Sequence, residues 1–90
     1  MQNSSSLKPT LVTTLAAIPD DAATGAAARR YRMDRRIRLE ELAERLKSPN
    51  GVRMTTPNLS HYEHGNRQWT AEFFADYIAA VDAINAKIPV

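Results

Sequence analysis

Hydrogen-bonding side chains crowd one short stretch of the chain: Thr55-Thr56-Pro57-Asn58, then Ser60-His61, then Glu63-His64-Gly65-Asn66-Arg67. Hydroxyls, amides and imidazoles each donate or accept, whereas Arg67 only donates. Metal chemistry is one use for such a set, because His61 and His64 stand at i and i+3 with Glu63 between them. A zinc site needs three or four ligands, and no third convincing one is at hand. No metal, no cofactor and no catalytic residue is therefore expected, and the chain is read as a non-enzyme. The remaining use is non-covalent recognition of a polar partner.

Ninety residues allow one small domain with a modest core. Its stability is expected at about 5 to 13 kcal/mol, and a large catalytic cleft has little room to form. Cysteine is absent, so packing must hold the fold without disulfides or thiolate metal sites. The formal charge is only +2, yet residues 29 to 67 carry ten Lys/Arg against five Asp/Glu, leaving both flanks acidic on balance. That central third is the electrostatic footprint of the chain. Its longest fairly apolar stretch, Leu7 to Ile18, is too short to span a bilayer and lacks the layout of a signal peptide. A cytoplasmic protein with no membrane partner is expected.

The elements that must position these groups are helices. Met1 to Lys8 is polar and Ser-rich and reads as a flexible end. Leu7, Leu11, Leu15 and Ile18 follow at helical spacing, although the threonines of Thr10 to Thr14 suit a strand nearly as well. Pro19-Asp20-Asp21 punctuates the chain and can start a helix, although Gly25 weakens any turn before it; the firmer helix is expected from about Thr24 to Arg35, with Ala28, Tyr31 or Arg32, and Arg35 along one side. A second runs from about Leu39 to Lys47 with Leu39, Leu42, Ala43 and Leu46 on one face. Ser48-Pro49-Asn50-Gly51 is a turn, with proline second and glycine fourth. Thr55-Thr56-Pro57 starts a third helix that Gly65 closes near His64. Thr70 caps a fourth reaching about Ala86, with Phe74, Tyr77 or Ile78, Val81 and Ile84 as its buried stripe.

Three features stand at matching positions in a known family: Leu42-Ala43, where alanine permits close helix packing; Leu59 and Tyr62, which seat the third helix; and Glu63-x-Gly65, which ends it. Over about residues 28 to 82 the chain resembles the helix-turn-helix domain of phage lambda repressor, Cro and the wider Xre regulators. The resemblance implies an all-α, compact four- to five-helix lambda-repressor-like domain at 22–90, preceded by an N-terminal extension at 1–21. It also implies sequence-specific binding of a double-stranded DNA operator by the helix at residues 56–64.

Carried over by position, base reading falls on Thr55, Thr56, Pro57, Asn58 and His61. Thr56 and Asn58 can donate and accept, His61 can donate to guanine N7 or O6, and a threonine methyl or the Pro57 ring can meet a thymine methyl. Capping alone is the competing role for Thr56 and Pro57. Phosphate contact falls on Ser60, His64, Asn66 and Arg67, joined by Arg38, Lys47 and Arg53. In many members an arginine of the first helix pairs with a glutamate near the end of the third, which places a structural ion pair on Arg32 and Glu63.

The chain departs from the pattern in several places. Nineteen residues separate Ala43 from Glu63, more than in the compact family unit, with the excess in Lys47 to Met54. Leu39 stands where a phosphate-binding glutamine is common, and Arg36 replaces a common glycine. After the fourth helix only Lys87-Ile88-Pro89-Val90 remain, where many relatives continue into a fifth helix that builds a dimer. A homodimer is expected, with Leu7 to Ile18 as the substitute contact or else as a strap over its own core. The expected role is a small transcriptional regulator, a repressor acting by operator occupancy, of the sort carried by phages or mobile elements. An antitoxin with a toxin partner, or a fold used only for protein interaction, are the alternatives.

Overall fold

The computed structural model describes residues 20–87, which form four α-helices: α1 Asp21–Asp34, α2 Leu39–Ala43, α3 Thr56–Glu63 and α4 Ala71–Asn85. The described chain is all-α, with one isolated antiparallel bridge between Lys47 and Arg53. The Leu7 to Ile18 segment, with its helix, strand and dimer alternatives, lies outside the described residues.

Three helices begin on side-chain caps, each satisfying a first-turn N–H that would otherwise lack a partner. Asp20 Oδ1 accepts from Ala23 N at 2.9 Å, Thr55 Oγ1 from Asn58 N at 3.3 Å, and Thr70 Oγ1 from Phe73 N at 3.0 Å. The Asp20 cap starts α1 at Asp21 rather than at Thr24.

Gly25 lowers the intrinsic propensity of this helix, yet it is required by what the helix touches. A Cβ at that position would lie 2.5 Å from the Tyr62 carbonyl oxygen and 2.6 Å from that of Glu63. Without one, α1 presses directly on the last turn of α3. Helix propensity alone would favour Gly25→Ala by about 1 kcal/mol. Overpacking against backbone atoms, which cannot swing aside as a side chain can, costs about 1 to 3 kcal/mol. Gly25→Ala is thus expected to lower stability by up to about 2 kcal/mol in urea unfolding. A stability gain would mean that the two backbones are not in contact in solution.

Left-handed residues close α1 and α3 in the same way. At the end of α3, Asn66 N donates to His61 O at 2.8 Å and Gly65 N to Tyr62 O at 3.1 Å, with Gly65 at φ +80°. At the end of α1, Ile37 N donates to Arg32 O at 3.3 Å and Arg36 N to Met33 O at 2.9 Å, with Arg36 at φ +58°. Both are Schellman closures, which consume carbonyls the helices leave free. Arg36 adopts a left-handed conformation that glycine takes more readily, at the steric cost of a Cβ.

The stretch after α2 differs most from expectation. The helix ends at Ala43 instead of Lys47, and Arg45 N and Leu46 N tighten the exit by bonding Leu42 O at 3.0 Å and Ala43 O at 3.2 Å. Turning there buries Leu46 together with Met54, whose N–H donates to the Leu46 carbonyl at 3.2 Å. Between them lies a small hairpin rather than an open loop. Gly51 N donates to Ser48 O at 2.8 Å, Ser48 N to Val52 O at 2.7 Å, and Gly51 takes φ +86°. A turn followed by a left-handed glycine is a common three-residue hairpin loop.

α1 and α2 each pack against both α3 and α4. The largest fully buried side chains are Trp69, Tyr77, Phe73, Leu42, Leu59 and Val81. In α1 the buried positions are Gly25, Ala28 and Arg32, leaving Tyr31 and Arg35 half-buried. In α4 the buried stripe is Phe73, Tyr77 and Val81, while Phe74, Ile78 and Ile84 pack along its margin. Trp69 explains that rotation. Its indole Nε1 donates to Tyr62 O at 2.8 Å, and its backbone N–H donates to Asp21 Oδ1 at 2.8 Å. It precedes the Thr70 cap and meets Phe74 with ring centroids 5.9 Å apart, a hydrophobic staple that sets how the chain enters α4.

Candidate nucleic-acid interface

The two sides of α3 do different things. Its inner side buries Leu59, Tyr62 and Glu63. Pro57 and His61 lie exposed on the other side, next to half-buried Thr56, Asn58 and Ser60.

Glu63 fixes the helix from behind. Arg32 Nε donates to Glu63 Oε2 at 2.7 Å and Arg32 Nη2 to Glu63 Oε1 at 2.8 Å, a two-pronged pair between α1 and α3. The third guanidinium nitrogen, Nη1, donates to Ile37 O at 2.8 Å, so the same arginine also holds the α1–α2 connection. Tyr77 of α4 donates its hydroxyl to Glu63 Oε2. Arg32 is 8% exposed and Glu63 3%, which makes each dependent on the other for charge compensation. The Glu63 hydrogen bond raises the affinity of the Arg32 guanidinium for its proton, against the opposing effect of burial. Burial first, and then the Glu63 carboxylate, push the Tyr77 phenol well above its ordinary range, so that it stays a neutral donor.

Several groups expected at the base edges or phosphates are already engaged. Thr55 is the α3 cap. The Asn58 amide accepts from Arg67 Nε at 3.1 Å and donates to Met54 Sδ at 3.5 Å. Arg67 is thereby braced against α3, and its Nη1 also reaches Asn66 O at 3.4 Å. The N–H groups of His64, Gly65 and Asn66 are all taken, donating to Ser60, Tyr62 and His61 carbonyls. They are not free to cradle a phosphate.

His64 has a fixed tautomer when neutral. Its Nδ1 lies 2.8 Å from the Ser60 carbonyl oxygen, which can only accept, so Nδ1 carries the proton and Nε2 is left as an acceptor. His61, by contrast, makes no side-chain hydrogen bond among the described residues, and it projects from the middle of the exposed face.

The first turn of α3 has little to offer an anion. Pro57 lacks an N–H, while Asn58 N and Leu59 N bond to Thr55 Oγ1 and Thr55 O. Only the Thr56 N–H is left in that turn. Of the remaining cations, Arg38 is highly exposed with its Nε 3.9 Å from Glu40 Oε2, and Lys47 and Arg53 are exposed on the hairpin. Arg35 stacks on Tyr31 at 3.5 Å from the ring centroid, which occupies it structurally.

Among the described residues no group of three or more His, Cys, Asp or Glu side chains could hold a metal ion, and no helix is long and apolar enough to cross a membrane. Comparison of the chain with family models, with curated proteins and with solved structures finds no match.

Proposed function

We propose that the chain is a lambda-repressor-like helix-turn-helix protein that reads double-stranded DNA with the outer side of α3 and represses by occupying an operator. One observation carries the reading: α3 is an eight-residue helix held from behind by Leu59, Tyr62 and the Arg32–Glu63–Tyr77 network, while Pro57 and His61 face outward. A helix that reads bases must be short, rigidly aimed and bare on the side it presents. The local excess of positive charge over residues 29 to 67 supports an anionic partner.

His61 is the leading base reader, with Thr56 and Pro57 beside it. Thr55 and Asn58 support the helix, and Arg67 meets phosphate from a side chain already braced against Asn58. His61→Ala is expected to cost about 1 to 3 kcal/mol on a preferred duplex and to relax preference at one base pair. Arg67→Ala is expected to weaken all duplexes alike and to lower the salt slope by about one unit. Selection from a random duplex pool, followed by anisotropy titrations of both variants, checks the contrast. Absence of any duplex preference at low salt would leave the protein-interaction reading in its place.

A further inference from the structure

The backbone bonds of the hairpin determine how its two cations stand. Met54 N donates to Leu46 O at 3.2 Å and Ser48 N to Val52 O at 2.7 Å, so the bonds flank the Lys47–Arg53 pair without passing through it. This is the non-hydrogen-bonded type of antiparallel pair, in which opposed Cβ atoms lie only about 4.5 to 5.5 Å apart. Opposed residues project from the same face of a ribbon. Their neighbours Leu46 and Met54 turn inward and are buried, and Lys47 and Arg53 are exposed on the other side.

Like charges directly opposite one another destabilise a ribbon. No carboxylate stands at ion-pair distance from them: among the described residues the ion pairs are Arg32–Glu63 and Arg38–Glu40. Glu40 and Glu44 share a crevice with Arg53, and Asp76 shares one with Lys47, yet none closes on its cation. Meanwhile the backbone sources of anchoring around α3 are spent, because its first turn is capped and the N–H groups after it bond carbonyls, which leaves Arg67 as the side-chain anchor on that flank. Two uncommitted cations rooted side by side, at the head of an interface short of anchors, fit a regularly spaced polyanion.

We infer that the hairpin is a second anchor on the duplex, with Lys47 and Arg53 gripping consecutive phosphates of one strand beside the groove that α3 reads. The inference rests on the DNA-binding reading above. One strand presents a phosphate every 3.4 Å or so along the helix axis, within the joint reach of two long cationic side chains that start from neighbouring Cβ atoms. Such a contact fixes register and adds affinity without carrying sequence information.

The test uses the full chain, a duplex selected by the wild-type protein and a scrambled duplex of the same composition, titrated by anisotropy over about 50 to 300 mM salt. The double variant Lys47→Gln/Arg53→Gln is expected to lower the slope of log affinity against log salt by about two units and to weaken both duplexes by the same factor, about tenfold or more near 0.1 M salt. Sequence preference should be unchanged. The thermal midpoint should stay level or rise, because the substitution removes a repulsion. An unchanged slope overturns the anchor while leaving DNA binding by α3 intact, and so does weakening confined to the selected duplex. A fall in the thermal midpoint also overturns it, since the pair would then be holding the ribbon together. If the wild-type protein binds neither duplex, the DNA reading itself fails and the anchor falls with it.

Discussion

Glu63→Ala will lower the stability of the protein by about 3 to 5 kcal/mol, a large fraction of the total of about 5 to 13 expected for a chain of this size. The cause is not the loss of an attractive pair, whose Coulomb gain is largely offset by the cost of taking both ions out of water. It is what remains: the guanidinium of a buried arginine, with two of its three donor nitrogens left facing a cavity. Tyr77 fares better, because its hydroxyl also lies 3.1 Å from Ala28 O and can turn to it. The double variant Arg32→Met/Glu63→Leu, which removes both charges and keeps the volume, should recover most of the loss. Urea unfolding of the two variants beside the wild type separates these outcomes. A single-variant cost below about 1 kcal/mol would mean that water reaches the pair in solution.

Trp69→Ala carries a comparable penalty, about 3 to 5 kcal/mol, by a different route. Its indole is fully buried and meets the rings of Tyr62, Phe73, Phe74 and Tyr77 at centroid separations of 5.7, 5.1, 5.9 and 5.5 Å. Truncation leaves a cavity bordered by both α3 and α4. Trp69→Phe should cost much less, about 1 to 2 kcal/mol, because the ring is largely replaced and no polar group is stranded. The Tyr62 carbonyl that loses the indole N–H keeps its bond from Gly65 N at 3.1 Å. Thermal unfolding ranks the two variants. Near-equal losses would show that the indole hydrogen bond outweighs packing.

What could be read from the sequence was what neighbouring residues decide. Thr55-Thr56-Pro57 and Gly65 delimit α3 through cap, missing donor and left-handed closure, all within a few residues of each helix end. Ser48-Pro49-Asn50-Gly51 likewise declares its turn. The errors arose where distant segments decide. Gly25 looks like a weak point until the backbone of α3 is brought against it. Phe73 and Phe74 are adjacent and both apolar, and the first turns inward against Tyr62 and Trp69 while the second meets Trp69 from the margin. That signal was present as an aromatic just before a threonine cap with a second aromatic four residues beyond the cap. In the candidate interface, residue type showed that Asn58 and Arg67 could meet DNA. It could not show that they meet each other across nine positions of sequence.

The hairpin closes on itself before the chain reaches either helix it joins. Leu46 and Met54 sit in the core and are bonded to each other, so the excursion is closed at its two feet before the chain enters α3. An excursion with closed feet can change length cheaply: doubling a flexible loop costs only about 0.6 kcal/mol in closure entropy. The span from Ser48 to Gly51 is therefore the part of this frame most open to evolutionary drift in length, able to grow or shrink while the aim of α3 stays as it is. Diversity on such a frame should accumulate there first, as change in reach rather than change in scaffold.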